Sequence, residues 1–189
     1  MTDHVTSNPR LAGRVKRYHS WPTIQEQTVG ERCWQVALIY ERIFGELSPA
    51  VERFIRHHDT AELITGDPPF PVKSTHPAMK AAYDVLEVEA FERLKLAPPP
   101  ILDKDELTRI KICDLLEMMC FGMIEREMGN MLGVPIIKRT RQAALVHVSK
   151  LSAKELDQVC RFVDAEEMRH ERVIYQYELT EDKRREHVG

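Results

Sequence analysis

Three side chains of types that commonly bind metal ions lie in segments with helical periodicity. The first two belong to His57-His58-Asp59, within a predicted helix from Pro49 to Gly66 whose inward positions are otherwise mostly apolar. Burying an imidazole beside a carboxylate is unfavourable unless a partner compensates both groups. Adjacent residues on a helix project about 100° apart, so both side chains can reach one ion. We therefore predict that His58 and Asp59 bind a metal.

The third side chain of this kind is Asp114, which interrupts the apolar run from Ile110 to Met119. A carboxylate without a partner is unfavourable among apolar residues, so we predict that Asp114 is a third ligand. One histidine nitrogen and carboxylate oxygens suit zinc, manganese, cobalt or iron. The spacing of the three residues is not that of a zinc finger or a calcium-binding loop.

Further acids and cations lie near these residues in the sequence. Glu62 follows His58 by one helical turn and Asp67 ends the same helix, so either could orient or deprotonate an attacking water. The alternatives are a surface salt bridge for Glu62 and an ordinary turn for Asp67. Candidate cations for binding a phosphate are Arg17, Arg56 and Lys73.

The elements that must position these residues are all predicted to be helices. Capping residues and apolar periodicity predict helices over residues 28–44, 49–66, 77–96, 103–129 and 152–179, and no stretch alternates as a strand would. With 189 residues, the chain fits one all-α domain. We predict a flexible N-terminus over 1–14, a packed domain over 15–180 and a charged tail over 181–189.

Composition excludes several classes of protein. The net charge of −3 gives no overall basic field, so we do not expect a polymeric nucleic acid as partner. No window is apolar enough to span a membrane, and residues 1–10 lack the apolar stretch of a signal peptide. The four cysteines form no CxxC pair, which is typical of reduced thiols. We therefore expect a cytoplasmic protein.

Four segments together are more specific than any one residue. They are Arg17-Tyr18, residues 28–37 (TVGERCWQVA), residues 57–73 (HHDTAELITGDPPFPVK) and residues 110–114 (IKICD). Their order and intervals resemble the HD-domain 5′-deoxynucleotidases over roughly residues 17–130. This resemblance implies a helical, metal-dependent phosphohydrolase that forms a homodimer and releases phosphate from deoxynucleoside 5′-monophosphates. Related phage enzymes instead remove triphosphate from dATP.

The resemblance also implies a role for individual residues. Glu62 and Asp67 match acids that act on water and substrate. Tyr18 stands where the family commonly has a tryptophan that rejects a ribose 2′-hydroxyl. The matched metal ligands are His58, Asp59 and Asp114, and Arg17 matches a phosphate contact. Beyond the resemblance, the charges of Arg32 and Lys73 make them further expected contacts to a deoxynucleotide, beside Arg17 and Tyr18.

One residue departs from the family pattern. Arg32 stands where the resemblance implies the first metal-binding histidine, and arginine cannot ligate a metal because it stays protonated. Three alternatives remain open: His58, Asp59 and Asp114 bind cobalt, manganese or zinc with waters; the guanidinium replaces the metal and binds phosphate itself; or the protein is catalytically inactive. An inactive protein with Arg32 in the metal cavity could still bind nucleotides.

Overall fold

The computed structural model describes residues 7–67 and 76–186, and for residues 177–186 only the backbone. A 3-10 helix at Pro9–Arg14 precedes seven α-helices in the described ranges. These are α1 (Val29–Phe44), α2 (Pro49–His57), α3 (Glu62–Thr65), α4 (Pro77–Arg93), α5 (Lys104–Glu127), α6 (Gly133–Val148) and α7 (Ala153–Glu186). The predicted all-α fold is confirmed. None of the described helices is both long and apolar enough to cross a membrane.

Local capping explains where the main helices begin. Thr28 and Glu31 form a capping box at the start of α1, and Asp103 and Glu106 form another at the start of α5. In each box, two backbone N–H groups that lack helical partners are hydrogen-bonded by side chains. Ser48 caps α2, where proline occupies the first turn. These starts agree with the sequence-based predictions.

Helix α5 lies at the centre of the core. It is buried along most of its length and packs against α1, α6 and α7. Its contact with α6 is close: a Cβ atom added to Gly133 would lie 2.3 Å from the Gly122 carbonyl oxygen. A side chain at residue 133 would therefore separate the two helices. The most deeply buried residues of this core include Val36, Ile43, Val51, Ile55, Ile112, Leu116, Met119 and Met123.

The predicted continuous helix over 49–66 is wrong, because the structure divides it into α2 and α3. The Thr60 amide donates to the His57 carbonyl at 2.9 Å, and the Glu62 amide donates to the Asp59 carbonyl at 3.0 Å. These i to i+3 bonds form tight turns instead of continuing the α-helical pattern. His58 and Asp59 consequently lie at a helix end, not in the middle of a helix.

Helical structure continues toward both ends of the described chain. Asn8 caps the 3-10 helix at Pro9–Arg14, and Ala12 is buried, so packing begins before residue 15. Gly13 makes a close backbone contact with Gly30 of α1, which holds this short helix in place. At the other end, α7 continues past residue 180 to Glu186. The segment 181–186 is therefore helical.

Candidate functional site

Arg32 lies at the point where the predicted metal ligands meet. Its side chain faces the interior from α1, and the residue is only 6% exposed. One terminal nitrogen of the guanidinium group pairs with Asp59, and the other pairs with Asp114. The Nη1 atom also lies 3.3 Å from His58 Nε2. The structure thus brings His58, Asp59 and Asp114 together around a guanidinium group.

Three separate elements supply this centre. Helix α1 presents Arg32 on the same buried side as Val36 and Ile43. The turn that follows α2 presents His58 and Asp59, and α5 presents Asp114 from its buried middle. Because 82 residues separate Arg32 from Asp114, the cluster depends on the tertiary fold.

The protonation of His58 follows from its surroundings. Burial, reinforced by the nearby Arg32 guanidinium, lowers the pKa of His58 to about 3, so its imidazole is neutral near pH 7. The Nδ1 atom lies 2.9 Å from the Ile55 carbonyl oxygen, so Nδ1 carries the proton and donates this bond. The Nε2 lone pair therefore faces Arg32 Nη1 as an acceptor.

Two cationic and two anionic side chains form direct ion pairs at the centre. Burial and repulsion from Arg17 lower the pKa of Arg32 to about 10, which still leaves it charged near pH 7. Lys111 places its Nζ atom 3.3 Å from Asp114 Oδ2, one helical turn away on α5. The charges of Arg32 and Lys111 balance those of Asp59 and Asp114.

Arg17 lies in a second polar network beside this centre. Its Nη1 atom donates to Gln27 Oε1 at 2.9 Å and lies 3.4 Å from Glu117 Oε2, and Gln27 Nε2 donates to Glu117 Oε1 at 2.5 Å. Burial raises the pKa of Glu117, although Arg17 opposes this effect. The Arg17 amide also donates to the Gln27 carbonyl at 2.9 Å, which fixes the backbone next to α1.

Tyr18 adopts an uncommon backbone conformation next to Arg17. Its φ of 55° lies in the left-handed region, which bulky residues rarely adopt. Its ring stacks on Phe121 of α5, with centroids 4.4 Å apart and planes 5° from parallel. The hydroxyl oxygen is buried and has no hydrogen-bond partner among the described residues.

Of the other predicted site residues, some lie near Arg32 or Tyr18 and others do not. Glu62 is 9% exposed at the start of α3 and interacts electrostatically with Arg32. Asp67 interacts in the same way with the Tyr18 hydroxyl. Arg56 is exposed and pairs with Glu52 at 3.6 Å, so it is not part of the cluster. Lys73 lies outside the described residues.

We next asked whether the residues of this centre fit a metal ion. Ligand atoms of Cys33, His58 and Asp59 lie within 4.8 Å of one another, which is close enough for one ion. However, Arg32 pairs with the Asp59 carboxylate and lies 3.3 Å from His58 Nε2. An ion at this point would lie beside a buried cation that repels it. The arrangement therefore fits a guanidinium group, and it does not fit a metal ion together with it.

Sequence reasoning missed Lys111, Gln27 and Glu117. Lys111 and Glu117 lie three residues before and after Asp114, and such spacing places side chains on one side of a helix. This spacing could have identified both as neighbours of Asp114. Gln27 has no comparable signal in the sequence, because it reaches Glu117 only through the tertiary fold.

The chain is similar in sequence to one protein family and to several of its members. A protein-family model described as "5'-deoxynucleotidase YfbR-like" matches residues 10–110. A 5′-deoxynucleotidase of Vibrio atlanticus is 30% identical over 93 residues, covering 43% of this chain and 48% of the Vibrio protein. One of Photobacterium profundum is 27% identical over 142 residues, covering 62% and 73% of the two chains. This chain thus spans about half the length of the Vibrio relative.

A solved structure has the same fold. It is a cyanophage S-2L HD phosphohydrolase bound to dA and one catalytic Zn²⁺ ion, with a TM-score of 0.61 and 20% sequence identity. The similarity covers 89% of this chain and 95% of the phage chain. It supports an HD-domain helical fold for nearly the whole chain. Since the family model covers more than half of the residues, the chain belongs to the YfbR-like 5′-deoxynucleotidase family.

Proposed function

We propose that this protein is a phosphohydrolase that releases phosphate from deoxynucleoside 5′-monophosphates. The observation that carries the proposal is the family match over residues 10–110, within which Arg17, Glu62 and Asp67 match the residues that the family resemblance implies. Burial of Arg17 and Glu62 near Arg32 adds support, because buried charged groups cluster at functional sites more often than elsewhere.

The proposed reaction uses the side chains of this chain. A water oxygen attacks phosphorus while the bond from phosphorus to the 5′ oxygen breaks, and the deoxynucleoside leaves with a proton. Glu62 takes a proton from the attacking water and passes it to the leaving 5′ oxygen, and Asp67 orients the water and the substrate. Arg17 stabilises the phosphate charge, because a guanidinium group can bind two phosphate oxygens at once. We assign no step to a metal ion.

Tyr18 is the proposed contact to the sugar. Its ring is held against Phe121, and its left-handed backbone conformation is a local strain of the kind found at functional sites. A fixed aromatic ring leaves little room for a ribose 2′-hydroxyl. This arrangement supports a preference for deoxynucleotides over ribonucleotides.

The proposed activity can be tested with the full chain and a panel of nucleotides. Inorganic phosphate is measured after incubation with deoxy- and ribonucleoside monophosphates, and triphosphate is measured after incubation with dATP. We expect phosphate from deoxynucleoside monophosphates, with Glu62→Gln reducing kcat by about 100-fold or more. The matched control Glu52→Gln changes an exposed acid of α2 and should leave kcat unchanged. Release of triphosphate alone would favour the phage-type reaction and contradict the monophosphate assignment.

A second candidate function is a nucleotide-binding protein without catalysis. The pairing of Arg32 with both Asp59 and Asp114 favours it, because the family's metal site is then filled by a side chain. Calorimetric titration with a deoxynucleoside monophosphate distinguishes the two functions. Binding without release of phosphate under any condition would support the second candidate and contradict the first.

We also propose a homodimer, as the family resemblance implies, and a cytoplasmic location, as the unpaired cysteines favour. Exposed apolar side chains on α6 and α7, such as Leu145, Val146 and Met168, support an interface between two copies. Sedimentation equilibrium should give twice the 22.0 kDa mass of one chain, and a monomer at every concentration would contradict the dimer.

A further inference from the structure

We propose that the Arg32 guanidinium, together with Lys111, takes the place of the metal ion of the family, so that this chain binds its nucleotide without a transition metal. The inference rests on the proposed nucleotide site, but it does not require that the site turns over. It distinguishes this chain from a member of the family that has merely lost one ligand and still binds an ion.

The geometry of the centre is the first argument. Each group that would ligate an ion is already directed at the guanidinium: Asp59 and Asp114 pair with its two terminal nitrogens, and His58 Nε2 lies 3.3 Å from Nη1. The Nδ1 atom of His58 donates to the Ile55 carbonyl, as metal-binding histidines commonly do to fix the ring. The centre therefore keeps the form of a metal site while a side chain supplies the cation.

The charge of the centre is the second argument. A divalent ion would balance the two carboxylates, and here Arg32 and Lys111 supply the same two positive charges. An added divalent ion would lie beside the buried Arg32 guanidinium and would add positive charge where Asp59 and Asp114 already have cationic partners, which is unfavourable away from water. The Lys111 side chain is 41% exposed, so water screens its part of this repulsion. The two cations thus make an ion unnecessary for electrostatic balance and also repel it.

The burial of Arg32 is the third argument. The residue is 6% exposed on α1, so an incoming ion would have to move a long side chain out of a packed interior. Its Nε atom is buried and has no hydrogen-bond partner among the described residues. The buried guanidinium therefore has one N–H donor that its carboxylate pairs do not use.

Metal analysis of three forms of the full chain tests the inference. Wild type, Arg32→His and Arg42→His are loaded with Co²⁺ or Zn²⁺, desalted and assayed for metal by mass spectrometry and for the visible absorption of protein-bound Co²⁺. Arg42 is an exposed arginine on the same helix, so its variant controls for an added histidine. We expect no stoichiometric metal in wild type or Arg42→His, and about one ion per chain in Arg32→His. Stoichiometric metal in wild type, lost in Asp59→Asn, would overturn the inference.

Nucleotide binding is a second test, and it uses only wild type, so its result does not depend on whether a variant folds. Calorimetric titration with a deoxynucleoside monophosphate in EDTA and in Zn²⁺ should give the same affinity. A loss of about tenfold or more in EDTA would overturn the inference. Unchanged affinity without any phosphate release would contradict the proposed hydrolase and leave the inference supported. Release of phosphate that requires bound metal would support the proposed hydrolase and overturn the inference.

Discussion

At the scale of single residues, the site depends on a buried cation and its partners. Arg32 contacts His58, Asp59 and Asp114, which lie 26, 27 and 82 positions further along the chain. Two of these partners are carboxylates with side chains only 16% and 11% exposed. Removal of the guanidinium would therefore leave two negative charges close together in a region with little water.

We expect Arg32→Ala to lower the free energy of unfolding by about 3–5 kcal/mol, the range for breaking a buried ion pair from one side. The measurement is urea denaturation followed by circular dichroism. Arg42→Ala, on the solvent side of the same helix, should change stability by less than about 0.5 kcal/mol. Equal effects of the two substitutions would show that the ion pairs of Arg32 with Asp59 and Asp114 do not add to the free energy of unfolding.

We expect Tyr18→Ala to reduce the preference for deoxy- over ribonucleoside monophosphates by about tenfold, measured as the ratio of the two kcat/KM values. The reason is that the stacked ring would no longer occupy the space next to the sugar. Tyr175→Ala is the control, because Tyr175 is 61% exposed on α7. An unchanged ratio in Tyr18→Ala would exclude the proposed contact with the sugar.

Individual site residues were predictable from sequence to different extents. His58, Asp59 and Asp114 were identified because polar groups in apolar segments need partners, and the structure brings them together. Whether they meet an ion or a guanidinium could not be derived from their spacing, because the answer depends on where the Arg32 side chain points. Lys111 was missed although its position three residues before Asp114 on the predicted helix indicates that the two side chains are neighbours.

At the scale of elements, helix ends position the site more than helix middles do. The turn between α2 and α3 directs His58 and Asp59 toward α1. The capping box fixes the start of α1, and Arg32 lies in the first turn of this helix. Capping residues were recognisable in the sequence, and they explain why the starts of α1, α2 and α5 agreed with prediction. The turn at residues 58–61 was not recognisable, because it contains no proline or glycine.

The start of α7 gives a prediction for one such helix end. Glu155 accepts from the Ser152 hydroxyl, from the Ser152 amide at 3.0 Å and from Arg109 Nε at 2.7 Å, and these bonds lower the pKa of its carboxyl. We expect Glu155→Gln to lower the free energy of unfolding by about 1 kcal/mol near pH 7. Asp157→Asn, an exposed acid of the same helix, is the control and should have little effect.

The pH dependence of the Glu155 contribution has a definite sign. Because the folded pKa is below the unfolded value, the unfolded chain takes up the proton first as the pH falls. The stabilisation is complete above the ordinary glutamate pKa and is lost as the pH falls through the folded pKa. The difference between wild type and Glu155→Gln should therefore shrink in acid. A constant difference at every pH would exclude the ionised carboxylate as its source.

At the scale of the whole molecule, the fold assembles one centre from distant parts of the chain. Helix α5 is buried on most sides and holds Asp114, Glu117 and Phe121, which contact Arg32, Arg17 and Tyr18 respectively. The all-α class followed from helical periodicity and caps. The burial of Ala12 did not follow from sequence, because it depends on tertiary contacts that the local sequence does not indicate.

The most direct test of the account is a crystal structure of wild type grown with Zn²⁺ and a deoxynucleoside monophosphate, with anomalous data collected at the zinc edge. The account predicts the Arg32 guanidinium between Asp59 and Asp114, the nucleotide phosphate near Arg17, and no anomalous peak at this centre. An anomalous peak bound by His58, Asp59 and Asp114, with Arg32 turned away, would contradict it.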